Sequence, residues 1–199
     1  MFVNLINLKA TKISIIAFLS IIFGSSGIAK STEIFNKTIS YEEVLKVQET
    51  WCSALVSISD TYHTKGYKEA KKLASEVIDV AYGYDIGPVA FNPTWTHGNK
   101  NFRTTKRGAL SYFVGGDKKF RQDPGFAIGS DQRERSKWVN CKPENSVVQL
   151  LGGTANSMGN VIITAENGYT SVVDKTWTFM KISNGQIKII LHESATPYK

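Results

Sequence analysis

The sequence predicts an α+β domain in which helices come first and an antiparallel sheet follows. Two stretches between residues 40 and 83 carry apolar side chains at three- and four-residue spacing, the pattern of amphipathic helices. From Val147 onward the chain instead consists of β-favouring runs separated by turn signals, including Asn167-Gly168 and Asn184-Gly185. Helices followed by a meander of strands favour a curved sheet wrapped on one side by the helices.

The two helical patterns have clear beginnings and ends. Ser40 and Glu43 form a capping box at the start of the first helix. Its apolar positions are Val44, Val47, Trp51, Leu55 and Ile58. The second helix follows Gly66 and ends at Gly83, and its apolar face consists of Ala70, Leu73, Ala74, Val77, Ile78 and Ala81. We expect the two helices to share a core.

The middle of the chain is less regular. The run 86–94 has prolines near both ends and β-favouring residues between them, which predicts a short edge strand. A short helix is predicted over residues 105–113, stopped by the Gly115-Gly116 pair. The stretch 117–137 combines charges, glycines and a proline without periodicity, so we expect a long surface loop there.

The four runs VVQLLGG, NVIITA, TSVVDKTWTFMKI and QIKIILHES are predicted to be the strands of the sheet. Strand alternation places His192 and Ser194 on one face together with Ile190, and Ile189 and Leu191 on the other. Both faces are then apolar near the end of the chain. A sheet with two apolar faces needs a second cover, which predicts a homodimer.

The N-terminal segment has the composition of a secretory signal peptide. Two lysines precede the apolar run 13–23, and small residues offer a cleavage site near Ala29. That run is too short to cross a bilayer as a helix, so no stable membrane insertion is expected. We therefore predict a signal peptide at 1–29 and a single domain at 30–199, exported to the periplasm or secreted.

The charge of the chain is basic and concentrated in its middle. The whole sequence carries a formal charge of +7, and basic residues outnumber acidic ones between Lys100 and Lys137. Export and the lack of interleaved aromatic residues argue against nucleic acid as a partner. A solvated basic surface and a rim that attracts small anions are the two interpretations that remain.

Cys52 and Cys141 are the two cysteines of the chain. An oxidising compartment permits a disulfide between them, which would tie the first helix to the sheet. Two widely spaced cysteines are equally compatible with two small buried residues, so the sequence leaves both possibilities open.

Motifs for metal or serine chemistry are absent from the sequence. His63, His97 and His192 are isolated, and no H-x-H, H-E-x-x-H or C-x-x-C pattern accompanies them, which argues against a zinc site. There is also no G-x-S-x-G elbow and no glycine-rich phosphate loop. His63 and His97 are expected to be exposed residues at a helix end and in a loop.

Three hydroxyl residues in apolar company are the candidates that remain. They are Thr94 in VAFNPT, Tyr112 in LSYFVGG and Ser194 in IILHES. Buried hydroxyls commonly do no more than satisfy neighbouring backbone groups, so composition alone does not give them a role.

Four sequence elements carry a resemblance to a known family. They are the W-x-x-A-L-V-S-I helix from Trp51, the element ending in P-V-x-F-x-P-T at Thr94, the element containing S-Y-F-V-G-G up to Gly116, and the ending H-x-S-x-x-P-Y from His192. With them the chain resembles the nuclear transport factor 2-like cone fold, in the group of SnoaL-like proteins and the calcium/calmodulin-dependent kinase II association domain. More narrowly, it is similar to the iota-class carbonic anhydrases.

The resemblance implies reversible hydration of CO2 to bicarbonate by Thr94, Tyr112 and Ser194, with His192 beside them as our candidate proton acceptor. It also implies no metal cofactor, with zinc or manganese as the alternative. Where the family pattern has a second histidine and a second serine, this chain has Glu193 and Ala195, both expected on the opposite face of the strand. The competing interpretation is a non-enzymatic domain for small-ligand binding or oligomerisation, because cone folds host many functions.

Overall fold

The computed structural model describes residues 36–96, 99–130 and 135–196. Residues 35–199 form one compact unit. The predicted signal peptide, His97 and the Pro-Tyr ending lie outside the described residues. The helices are α1 (Tyr41–Lys65), α2 (Tyr67–Ala81) and α3 (Lys106–Val114), with a 3₁₀ turn at Phe126–Ile128. The strands are β1 (Ala90–Asn92), β2 (Trp138–Leu151), β3 (Thr154–Ala165), β4 (Thr170–Lys181) and β5 (Ile187–Ala195).

The predicted helices are confirmed, and local sequence explains their limits. The Ser40 hydroxyl accepts from the Glu43 N–H (3.2 Å), while the Glu43 carboxylate accepts from the Ser40 N–H (2.9 Å), which completes the capping box of α1. Thr105 caps α3 in a similar way, since its hydroxyl accepts from the Gly108 N–H. Among the residues that the structure describes, no helix is both long and apolar enough to cross a lipid bilayer.

The sheet has the order β1-β5-β4-β3-β2, with β1 parallel to β5 and the other pairs antiparallel. The short strand predicted within residues 86–94 is therefore confirmed as an edge strand. Positive φ angles at Gly168 (86°) and Gly185 (84°) form the predicted Asn-Gly turns. β2 begins at Trp138, well before the predicted VVQLLGG run, and as the other edge strand it tolerates Pro143.

One predicted face assignment is wrong because β5 contains a bulge. Trp177 pairs with His192, but Phe179 pairs with Ile189, so Ile190 is an extra residue in the ladder. Trp177 and Phe179 share a face, and cross-strand partners point the same way, so Ile189 lies with His192 and Ile190 does not. The pairing of His192 with Ser194 on one buried face is confirmed.

The segment 117–137 is also not simply a surface loop. Its central residues Phe126, Ala127 and Ile128 are buried in the hydrophobic core, and the Phe126 ring stacks on Tyr112 at 5.4 Å. Three apolar residues are too few to show periodicity, which is why no sequence pattern predicts this anchor. The basic residues before it remain at the surface.

A disulfide joins Cys52 of α1 to Cys141 of β2. It decides between the two possibilities that the sequence left open. The bond links the first helix to the edge of the sheet, and α1 packs across the same face that buries His192.

Candidate active site

A lysine, a histidine and a serine meet on the inner face of the sheet. Lys175 on β4 is the cross-strand partner of Ser194 on β5, and His192 lies two residues earlier on β5. Alternation along each strand turns all three side chains inwards. Their exposed fractions are 1% for Lys175, 0% for His192 and 5% for Ser194, so the cluster is shielded from bulk water.

The three polar groups are within hydrogen-bond distance of one another. Lys175 Nζ lies 2.6 Å from Ser194 Oγ and 2.8 Å from His192 Nε2. Ser194 Oγ lies 3.1 Å from the same imidazole nitrogen. The result is a closed triangle of an amine, an imidazole and a hydroxyl.

Two aromatic residues extend this triangle toward α1. His192 Nδ1 lies 2.8 Å from the hydroxyl of Tyr82, and that hydroxyl accepts from the indole N–H of Trp51 at 3.0 Å. The side chains of Lys175, His192, Tyr82 and Trp51 are all buried. The imidazole is therefore held at both nitrogens.

Burial controls the protonation of the cluster. Removal from water is the main reason that the pKa of Lys175 falls to about 7, and the Glu193 carboxylate opposes this shift. Burial and the nearby Lys175 charge together place the pKa of His192 well below its usual value. A neutral lysine is therefore accessible near pH 7, whereas the histidine is a weak base.

Aromatic rings enclose the polar cluster. Phe91 stacks on His192 with centroids 4.5 Å apart, and Trp51 and Trp177 contact the same imidazole at 5.7 and 5.6 Å. The Lys175 amine lies 5.0 Å from the Trp51 ring centre and 5.6 Å from that of Phe126. Such surroundings suit a small, apolar, uncharged molecule.

Tyr112 on α3 packs against the aromatic rings that enclose the cluster. Its ring contacts Phe91 edge-on at 5.3 Å, and its hydroxyl is buried without a hydrogen-bond partner among the described residues. The indole N–H of Trp177 is likewise buried without a hydrogen-bond partner among the described residues. Burial and the Asp123 carboxylate raise the pKa of Tyr112 well above its usual value, so its hydroxyl keeps its proton and can donate.

Thr94 lies just beyond the end of β1. β1 runs parallel to β5 with Phe91 opposite His192 and Asn92 opposite Glu193, so the chain after β1 follows the end of β5 that carries Ser194. Thr94 is 7% exposed. Of the predicted residues, the structure brings His192 and Ser194 into direct contact, places Tyr112 against Phe91, the ring that stacks on His192, and places Thr94 just past the end of β1.

A buried ion pair supports α3 behind Tyr112. The Asp123 carboxylate accepts from the Arg103 guanidinium (2.5 Å) and from the Ser111 hydroxyl (2.6 Å). The Arg103 and Asp123 side chains are 2% and 3% exposed. This arrangement fixes the residue next to Tyr112.

Lys175 is the residue of the cluster that the sequence motifs did not indicate. A signal was nevertheless present, because Val173, Lys175, Trp177 and Phe179 alternate along β4 and the other three are apolar. A lysine at an inward position of a buried strand indicates a functional amine rather than a surface charge. The motifs pointed to hydroxyls and histidines, and Lys175 belongs to none of them.

A basic cleft lies on the surface near Arg103. It has a volume of about 570 Å³. Its basic lining residues are Lys100, Arg103, Lys118, Lys119 and Arg121. It contains much of the positive charge expected between Lys100 and Lys137.

Over the described part of the chain, no three His, Cys, Asp or Glu side chains converge in a way that would hold a metal ion.

The inner face of the curved sheet carries an amine, an imidazole and hydroxyl groups, and aromatic rings enclose them. This arrangement defines an enzyme of the α+β cone class. Residues 42–196 match the family model of metal-independent carbonic anhydrases, and the chain belongs to this family, the iota class. This confirms the predicted family, fold class, type of enzyme and lack of a metal cofactor. It also favours the enzymatic prediction over the non-enzymatic binding domain.

Two relatives illustrate the similarity. The metal-independent carbonic anhydrase of Nostoc sp. (strain PCC 7120 / SAG 25.82 / UTEX 2576) is 48% identical over 168 residues, which cover 84% of this chain and 78% of the relative. The crystal structure of the iota-carbonic anhydrase from a cyanobacterium, complexed with bicarbonate, is 48% identical, with a TM-score of 0.80. The match covers 85% of this chain and 99% of that one.

Proposed function

We propose that this chain is an exported carbonic anhydrase that interconverts CO2 and bicarbonate at the cluster around Ser194. The observation that carries the proposal is the buried contact of Ser194 with Lys175 and His192, enclosed by aromatic rings. The bicarbonate complex of the cyanobacterial relative supports the choice of ligand.

The residues of the site have complementary tasks in this reaction. The aromatic surroundings accept CO2, while Thr94 and Ser194 hold the water and later the bicarbonate. Tyr112 donates to the oxygen on which negative charge develops, because its hydroxyl stays protonated and has no other partner among the described residues. His192 keeps Ser194 and the neighbouring amine in position.

Stopped-flow measurement of CO2 hydration tests this proposal. Thr94→Ala and Ser194→Ala should each lower kcat about 10²-fold or more, the usual effect of losing one transition-state donor. Thr176→Ala is the matched control, because Thr176 is next to Lys175 on β4 but faces the other side of the sheet. Equal activity of all four proteins would sink the assignment of the site, and an inactive wild type would sink the function.

The proposal of export is supported by the disulfide. A bond between Cys52 and Cys141 forms and persists in oxidising compartments. Expression of the full chain in a bacterium, followed by fractionation and N-terminal sequencing, tests this point. A periplasmic or secreted product that begins near Lys30 is expected, and a cytoplasmic product that begins at Met1 would contradict export.

We also propose a homodimer formed through the outer face of the sheet. Met158 and Val172, which are 53% and 43% exposed, lie on that face, and Val147 pairs with Met158 in the ladder. Exposed apolar side chains in neighbouring strands are typical of an interface. Light scattering should give twice the monomer mass, and Met158→Glu should shift the protein to monomers; a monomeric wild type would refute the dimer.

A further inference from the structure

The hydrogen bonds behind Ser194 have a fixed direction. The indole N–H of Trp51 can only donate, so the Tyr82 oxygen accepts from it. Within residues 36–96, 99–130 and 135–196, the other partner of that hydroxyl is His192 Nδ1, at 2.8 Å. The Tyr82 proton therefore points at Nδ1, and the neutral imidazole carries its own proton on Nε2.

This tautomer determines the protonation state of Lys175 in the resting enzyme. The Nε2–H group faces Lys175 Nζ at 2.8 Å and Ser194 Oγ at 3.1 Å. An ammonium at Nζ would oppose its own protons to that N–H, whereas a free amine presents a lone pair. Burial acts in the same direction, because it lowers the pKa of Lys175 to about 7.

We propose that Lys175 is the base of the reaction and takes the proton of the attacking water through the hydroxyl of Ser194. When the amine is neutral, its one lone pair can accept the proton of the Ser194 hydroxyl 2.6 Å away, and the His192 Nε2–H then donates to the Ser194 oxygen at 3.1 Å. The Ser194 oxygen is then free to accept a proton from water. This inference rests on the proposed function.

The proposed step balances in atoms and charge. The water oxygen forms a bond to the carbon of CO2, and one C=O electron pair moves onto its oxygen. One water proton passes to Ser194 Oγ as the serine proton passes to Lys175 Nζ. The products are bicarbonate and an ammonium on Lys175, which returns its proton to solvent or a buffer base. Bicarbonate dehydration is the same step reversed.

The groups around Lys175 set the pH at which it works. From β5, His192 and Ser194 bond to it and the Glu193 carboxylate raises its pKa. From α1 and the 3₁₀ turn, the rings of Trp51 and Phe126 face it, and neither ring titrates. Tyr82 acts through His192.

His192 thereby becomes a positioning residue rather than the proton acceptor that the sequence suggested. Both of its nitrogens are engaged, and its pKa lies well below the usual value. Its proton on Nε2 keeps the neighbouring amine uncharged. Loss of that directed N–H should change the pH profile of the enzyme and not only its rate.

The first test compares Lys175→Met with Lys188→Met. Lys188 is an equally buried lysine, 3% exposed, and it faces away from the cluster and bonds to the Asp79 carbonyl. In the wild type, hydration should rise with pH around a midpoint near 7, because the free amine is the active form. Lys175→Met should lose about 10²-fold or more of kcat together with that midpoint, as expected for loss of a general base, while Lys188→Met keeps both.

The outcomes separate the two proposals. No hydration by the wild type would refute the proposed function. Hydration by the wild type that Lys175→Met retains with the same midpoint would refute the role of Lys175 alone. Should Lys175→Met fail to fold, wild type labelled with ¹³C at the lysine Cε decides: a lysine that titrates at the hydration midpoint supports the proposal, and titration of every lysine above pH 9 overturns it.

The variant Trp51→Phe tests the directed hydrogen bonds that run from Trp51 through Tyr82 to His192. Without the indole N–H, the Tyr82 oxygen can accept from His192 Nδ1–H, and Nε2 can then accept from an ammonium. The hydration midpoint should move up by about one pH unit. An unchanged midpoint in a folded Trp51→Phe protein would show that these hydrogen bonds do not set the protonation state of Lys175.

Discussion

Phe91 lies flat against His192, with ring centroids 4.5 Å apart and planes 18° from parallel. The two residues are register partners in the parallel pair of β1 and β5. β1 has only three residues, and its central one is buried against the imidazole. The short edge strand therefore holds one wall of the candidate active site, and its loss should affect stability and activity together.

Replacement of Phe91 tests that relationship. Phe91→Ala removes a buried ring and leaves a cavity beside His192, so the free energy of unfolding should fall by about 3–5 kcal/mol. Denaturation in urea measures this change. Val80→Ala, at a side chain that is 67% exposed, is the control and should change stability little. Equal midpoints for the two variants would show that Phe91 does not contribute to the core.

The buried pair of Arg103 and Asp123 should be essential for the position of α3. Asp123→Asn leaves the Arg103 charge uncompensated in a buried place, and we expect a loss of about 3–5 kcal/mol in unfolding free energy. Ser111→Ala removes a single hydrogen bond to the same carboxylate and should cost less. Urea denaturation of both variants provides the measurement. A larger loss from Ser111→Ala would contradict the ranking.

Stability should rise with pH between 7 and 10 because of Lys175. Its folded-state pKa of about 7 is below the unfolded value, so the unfolded chain binds more protons throughout this interval. The gain from this group is about 4 kcal/mol at most. Parallel denaturation of the wild type and Lys175→Met across this interval isolates the effect. A rise of the same size in the variant would assign it to other groups.

The basic cleft should attract bicarbonate through unscreened charge. Raising the ionic strength should increase the apparent KM for bicarbonate dehydration and leave kcat nearly constant, because salt screens exposed charges at these distances. Lys119→Glu in the cleft should reduce the salt response. Lys46→Glu on the exposed side of α1 is the control. A salt response that is the same in both variants would make the cleft a solvated surface only.

Local signals were sufficient to predict the helices and turns. The capping box at Ser40 and the Asn-Gly pairs act within a few residues, so their structural meaning does not depend on distant partners. The bulge at Ile190 could not be predicted in this way. It is defined by which residues of β4 lie opposite β5, and that register is a property of the assembled sheet.

The candidate site depends in the same way on both local and long-range information. Motifs pointed to Thr94, Tyr112 and Ser194 as candidates, because each lies in a short characteristic run. No motif indicated Lys175, because a lysine in a strand is normally solvent-exposed and its partners come from β5. No pattern indicated the 3₁₀ turn at Phe126, because the turn is held by packing on Tyr112 rather than by its own sequence.

β5 is the last described strand in sequence but occupies an interior place in the sheet, between β1 and β4. A ribosome therefore releases His192 and Ser194 after every other strand has been made. Until β5 inserts, the three-residue β1 has no neighbour to pair with and Lys175 has no partner on β5. A nascent chain thus lacks the contacts among Lys175, His192 and Ser194, and the candidate site is complete only when this strand closes the sheet.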